Sequence, residues 1–358
     1  MLLSFAPQGF SWERHESIMP WVISDLPPHL ATVLGAPLGS LPSAQTNKAF
    51  YQNLAKTLTL NPGVVLAEPM PSPARPSELL TGSAIDEPDK GMDENLEASA
   101  DPENMRQFMG GTQGVTSKGF RHMYFGGMKL GHPFATFQIP THAVGLSPRR
   151  IASLSLEAKN LIKSGNIYWG TRILAWAMHL LQDLAQPFHA VQIPSLEMVP
   201  WGELFNWPPS KAFSTLVSET TRTISNYHWA YEDFTLLLIA QKDLRLSECL
   251  KEADKKKTVR DVPKNLDKDY PGQLALAVAQ ASTDLGSDLG KAELELFGKG
   301  LKFRGVDLPK NQGTPNYAEL SIRPDLLDAR QALLAVNCKA LSNAIWASRG
   351  LIDWAFQP

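Results

Sequence analysis

IYWGTRILAWAMHLLQDLAQPFH, residues 167–189, decides the fold. It is apolar enough for a core helix, yet it carries His179, Asp183 and His189 among leucines. A break at Gly165-Asn166 separates it from SPRRIASLSLEAKNLIKS (147–164), a second strongly helical stretch. Helical patterning resumes from Ser210 to about Lys242, then over 272–297 and 325–356, and appears in pieces over 12–60, as HESIMPWVISDL (15–26) and AFYQNLAKTL (49–58). Clean alternation of period two is nearly absent, so the expected class is all-α: one multi-helical domain with long loops. Residues 61–76 hold five prolines and read as loop. Residues 86–119, acidic and then glycine-rich, read as an excursion on the surface, and the lysines at 255–257 as a solvated face.

The chain has 358 residues, 43% hydrophobic and 20% charged, enough to bury a sizeable core. A net charge of −2 gives the whole chain no basic excess for gripping a polyphosphate backbone. No apolar run reaches the roughly 18–20 residues of a membrane span. Cys249 and Cys338 permit one disulfide, and the expectation is that they stay unpaired. At the start, MLLSFAPQGFS lacks the positive region of a complete signal peptide but places Gly9 and Ser11 at the −3 and −1 positions of a cut before Trp12. Residues 1–11 read either as the remnant of a signal or as a disordered arm, and 12–358 as the helical domain.

His179 and Asp183 lie four apart on a helix, so their side chains share one face one turn apart. A neutral imidazole and a carboxylate at that spacing can hold one metal ion. Pro187 disfavours helical geometry at Gln186, so the chain turns and brings His189 back beside the same surface. The spacing recurs in NYHWAYEDF, with His228 and Glu232, while GFRHMYFGG contributes His122 and SWERHESI contributes His15. Five of the eight histidines fall in this set. Each alone reads as a satisfied core histidine or a surface contact. Together they would put several ionisable groups into one nearly neutral core, where each needs a partner, and a divalent metal supplies that partner to all of them.

In this order, Trp12-x-x-His15, AIDEPD (84–89), RHMYF (121–125), HLLQDLAQPFH (179–189) and HWAYE (228–232) resemble the zinc-dependent phospholipase C family and its relatives, the single-strand-specific zinc nucleases. The motif-bearing region covers 12–234. The resemblance implies a mostly helical single domain with a trinuclear zinc cluster in a cleft, and two or three zinc ions are expected here. It implies one zinc at His122, His179 and Asp183 with Asp86 beside them, and a second at His189, His228 and Glu232. A third would use His15, the bridging Asp183 and the amino and carbonyl groups of Trp12, which requires the cut after Ser11. Asp86 would orient or deprotonate the attacking water, with Glu87 and Asp89 competing for its position.

The reaction so implied is in-line hydrolysis of a phosphodiester. Glu232 resembles the phospholipases, whereas the nucleases more often have aspartate there. A phospholipid substrate is therefore expected ahead of single-stranded nucleic acid, in an extracellular or periplasmic protein. The Trp/Pro-rich loop with Trp201 and Trp207 could meet a lipid surface, stack an unpaired base, or pack as core. A third reading is a non-catalytic binding protein whose metals only staple a loop-rich fold. Residues 240–358 carry no recognisable site, and Tyr317, Trp346 and Trp354 read as packing.

Overall fold

The computed structural model describes residues 14–39, 41–64, 66, 75–96, 116–126, 128–132, 135–139, 143–253, 262 and 264–357. The all-α expectation holds. Twelve α-helices appear among the described residues: α1 (Met19–Ile23), α2 (Pro28–Gly35), α3 (Ala44–Leu58), α4 (Pro76–Thr81), α5 (Ser117–His122), α6 (Ser147–Lys163), α7 (Ile167–Ala185), α8 (Pro209–Ala240), α9 (Leu244–Ala253), α10 (Tyr270–Leu296), α11 (Tyr317–Leu320) and α12 (Leu327–Ala355). None of the described helices is long and apolar enough to cross a membrane.

Helix α7 is the axis. Every residue from Tyr168 to Ala185 is buried, as expected of a helix that is apolar all round. It packs against α6, α12, α4 and α10. The Asn166 side chain caps it by accepting from the Trp169 N–H. At its other end Gln186 is extended (φ −80°, ψ 123°), the conformation a following proline imposes. Gly170 lets α6 and α7 approach closely: a Cβ there would lie 2.6 Å from Ile162 Cγ1 and 2.9 Å from the Ala158 carbonyl oxygen. Gly286 does the same for the segment after α7, since its Cβ would meet Val191 at 2.7 Å.

One contiguous apolar core runs from Ile18 and Met19 through α7 to Trp354 and Ala355. Trp354 is buried, and Tyr317 and Trp346 pack partly buried against that core, as expected of packing residues.

Two expectations need correction, and a short hairpin adds to the all-α frame. Strands β1 (Met128–His132) and β2 (Ala135–Ile139) form an antiparallel hairpin, with Met128 opposite Ile139. The alternation of ATFQI is real but only five residues long, too short to stand out against the helical stretches. Cys249 and Cys338 form a disulfide with Cα atoms 6.0 Å apart, joining α9 to α12. Across 89 residues only the fold could bring them together. Residues 86–96 are not a surface excursion, because Glu87 and Asp93 are buried, each neutralised by arginine. Residues 97–115, the lysines at 255–257 and residues 1–13, including Trp12, lie outside the described residues.

Glu293 on α10 is fully buried, and neither carboxylate oxygen has a hydrogen-bond partner among the described residues. Burial pushes its carboxyl well above the usual 4.5. The folded chain therefore keeps a proton that the unfolded chain loses above that pH, so this group costs stability as pH rises. Glu293→Gln removes the linkage. Above about pH 4.5, up to the folded pKa, the unfolding free energy of the native protein is expected to fall relative to the variant by about 1.4 kcal/mol per pH unit. Urea unfolding across that range checks this, and parallel curves for the two proteins would refute it.

Candidate metal centre

Five short segments converge on the last two turns of α7. His179 and Asp183 stand on its inward face, and a 3-10 turn, Pro187–His189, returns His189 to them. His15 opens the 3-10 turn His15–Ser17, His122 ends α5, and His228 and Glu232 are four apart on α8. A further 3-10 turn, Glu87–Asp89, supplies Asp89.

Asp183 is the hub. Its Oδ1 lies 3.3 Å from His15 Nε2, and its Oδ2 lies 2.7 Å from His122 Nδ1 and 3.4 Å from His179 Nε2. Asp89 Oδ1 lies 3.5 Å from His179 Nε2 and 3.7 Å from His122 Nδ1. On the other side, Glu232 Oε1 lies 2.8 Å from His228 Nε2 and 3.8 Å from His189 Nε2. Three sets have ligand atoms all within 4.8 Å of one another: His122, His179 and Asp183; His15, Asp89 and His179; and His189, His228 and Glu232. The buried His/Asp/Glu clusters could thus hold metal ions, and the first and third sets match the expected ligand groups.

The candidates in the AIDEPD stretch separate by geometry. Asp86 belongs to none of the three sets, although the resemblance assigned it to the first. A 3-10 turn repeats every three residues, so Asp86 and Asp89 leave it on the same side. Asp89 reaches His122 and His179, whereas Asp86 pairs with the Glu16 carboxyl on the His15 side. Burial and that shared hydrogen bond lift Asp86 to about 8. Glu87 points the other way. It accepts from Arg172 Nε and Trp176 Nε1 at 2.9 and 2.8 Å and is committed to the core. Trp12 lies outside the described residues.

Sequence reasoning missed the groups that orient the ligands. Gln182 Oε1 accepts from His15 Nδ1 at 3.0 Å, which leaves the Nε2 lone pair facing Asp183. The His122 carbonyl accepts from His189 Nδ1 at 3.2 Å, which leaves His189 Nε2 facing Glu232. Gln186 donates to Glu232 at 3.1 Å. Asp93 Oδ2 lies 3.3 Å from His122 Nε2 and itself accepts from Arg150 at 2.9 Å. Such partners fix imidazole tautomers around metals. The glutamines left a signal, since two amides four apart inside an apolar helix need partners. Asp93, in a run of acidic residues, left none.

The three sets bring five imidazoles and three carboxylates together. Burial alone would lower His15 and His122, but hydrogen bonding and charge from Asp183 outweigh it and lift both to about 9. Burial, and then the charge of His15, press His179 down to about 4. Burial opposes ionisation of Asp183, yet the surrounding imidazoles hold it well below the carboxylate range. Against the same opposition, His228 and His189 bring Glu232 to about 2. His15 Nε2 meets Asp183 Oδ1 at 3.3 Å and His189 Nε2 meets Glu232 Oε1 at 3.8 Å, longer than strong hydrogen bonds between charged groups. Imidazole nitrogens and carboxylate oxygens aimed at one another suit a divalent cation.

The third set opens onto a cleft of about 540 Å³ that His228 lines. Its walls are mostly apolar, built from Met123, Phe125, Phe188, Leu216 and Ile224, with Trp201 at the rim. Phe188 stacks on His228 with ring centroids 5.1 Å apart. In comparisons with known protein families, curated proteins and solved structures, the chain matches none.

Proposed function

We propose that this chain is a zinc-dependent phosphodiester hydrolase that cleaves the head groups of phospholipids, as its motif resemblance to the zinc phospholipases C implies. The observation that carries the reading is the junction of a His/carboxylate cluster with an apolar cleft at His228. Mixed imidazole and carboxylate sets without cysteine suit zinc sites that keep open positions for chemistry. Bound ions would neutralise phosphoryl oxygens, activate a water and stabilise the leaving alkoxide.

The chain's own contribution is placement. Asp183 holds the His15 side and the His122–His179 side at a fixed spacing through its two oxygens. In this reading Asp89, which the sequence offered beside Asp86, ligates the metal or orients water, supported by its approach to His122 and His179. The cleft's apolar wall would shelter the glyceride portion of the substrate and exclude water from it, while the phosphate lies at His228. Glu232 favours the phospholipase branch over the nuclease branch. The Cys249–Cys338 disulfide supports an exported protein, because disulfides persist in oxidising compartments.

The test is metal content by mass spectrometry, paired with turnover of phosphatidylcholine, of single-stranded DNA and of bis-p-nitrophenyl phosphate. Two or three zinc ions per chain with lipid turnover are expected. DNA turnover in place of lipid turnover would move the protein to the nuclease branch and leave the centre standing. Zinc with no turnover of any diester would make the metals staples of a binding protein and sink the enzymatic reading.

A further inference from the structure

Large apolar side chains scattered singly over a surface are ordinary, whereas a contiguous group is not. The segment between α7 and α8 places Trp201, Leu204, Phe205 and Trp207 in the open, with Phe205 91% and Trp207 84% exposed. Phe213, on the first turns of α8, is 64% exposed. A distant turn joins them: Arg304 binds Glu203 at 2.6 Å, and Lys302 Nζ donates to the Glu197 carbonyl at 2.6 Å. Between these two anchors stands Phe303, 69% exposed.

We propose that Trp201, Leu204, Phe205, Trp207, Phe213 and Phe303 form a rim by which this protein seats on a lipid bilayer with anionic head groups. The inference deepens the phospholipid reading and rests on it for the substrate alone. Three observations select a bilayer as the occupant. Trp201 and Phe213 also line the apolar cleft that reaches His228, so the rim and the candidate centre share one continuous surface. A lipid drawn from a bilayer would pass from one to the other without crossing water. Phe205 and Trp207 stand clear of their neighbours. A protein partner would need a fitted recess for each ring, whereas a bilayer interface accepts phenyl and indole groups one by one.

Charge is the third observation. Lys211 and Lys299 are exposed beside the rim, together with Arg304. Of the carboxylates near them, Glu203 is paired with Arg304 and Glu219 with Arg222, which also binds the Lys302 and Phe303 carbonyls, and Glu197 is exposed. In a chain of net charge −2, this edge carries a local excess of cations at the level where head groups would lie.

The probe is cosedimentation of the zinc-loaded full chain with vesicles of phosphatidylcholine and phosphatidylserine in equal parts. Turnover of soluble bis-p-nitrophenyl phosphate is followed in parallel. Phe205→Ser with Trp207→Ser is expected to lower partitioning by about tenfold per aromatic removed. The soluble diester should be hydrolysed as before, because neither residue lines the cleft. Lys299→Glu is expected to weaken binding by about fivefold or more on anionic vesicles and little on pure phosphatidylcholine. Equal partitioning of the native and doubly substituted proteins would overturn the rim. So would a rim that drives self-association in ultracentrifugation while vesicles stay unbound. Vesicle binding lost in the variant, with no lipid turnover in either protein, keeps the rim and sinks only the substrate assignment.

Discussion

Asp183→Asn is expected to bind at least one metal ion fewer per chain and to hydrolyse diesters about 10³-fold more slowly. The substitution keeps the shape of the side chain and removes its charge. It acts on both sides of the centre, since one oxygen faces His15 and the other faces His122 and His179. A neutral amide presents one oxygen and one NH₂, so one of these sides would meet a donor where it needs an acceptor. About 4 kcal/mol of lost transition-state stabilisation corresponds to that factor in rate. The checks are zinc per chain and kcat/KM on bis-p-nitrophenyl phosphate, which requires no membrane. Wild-type metal content and turnover in the variant would remove Asp183 from the centre. Glu232→Gln supplies a contrast, because it should deplete the His189–His228 set and leave the His122–His179 set loaded.

Glu87→Gln is expected to destabilise the fold by about 3–5 kcal/mol, the usual cost of breaking a buried ion pair from one side. Glu87 and Arg172 are both buried, and the guanidinium donates to both carboxylate oxygens. Trp176 Nε1 donates to the same carboxylate, and Arg172 Nη1 donates to the Tyr168 hydroxyl at 2.8 Å. Removing the negative charge leaves the Arg172 guanidinium of α7 sealed in the core. Urea unfolding should show the loss, with a further drop in metal affinity because Glu87 anchors the turn that carries Asp89. Replacing both partners, Glu87→Leu with Arg172→Leu, should cost less than the single change. A loss below about 1 kcal/mol for Glu87→Gln would show that the pair does not hold this turn.

These two residues mark the boundary of what could be read in advance. Asp183 was legible because its significance lies within one helix: the spacing to His179, the apolar surroundings and the proline before His189 are all local. The same holds for His228 and Glu232 on α8 and for the all-α class, since helical periodicity repeats over stretches long enough to stand out. Glu87 was one of three carboxylates in AIDEPD, and nothing local separated it from Asp86 and Asp89. Its partner Arg172 is 85 residues away.

The sequence by itself pointed to the long helices, to seven of the eight described ligand candidates that fall in the three sets, and to the turn that returns His189 to them. Tertiary structure alone decided that Asp89 rather than Asp86 stands within reach of His122 and His179, that Asp93 and Gln182 orient imidazoles, that Cys249 meets Cys338, and that the turn carrying Phe303 is anchored to Glu197 and Glu203. The reason is physical. Backbone periodicity and proline stereochemistry act over a few residues and are written in local order. The partner that neutralises a buried charge, or the sulfur within reach of another, is set by packing across the whole chain.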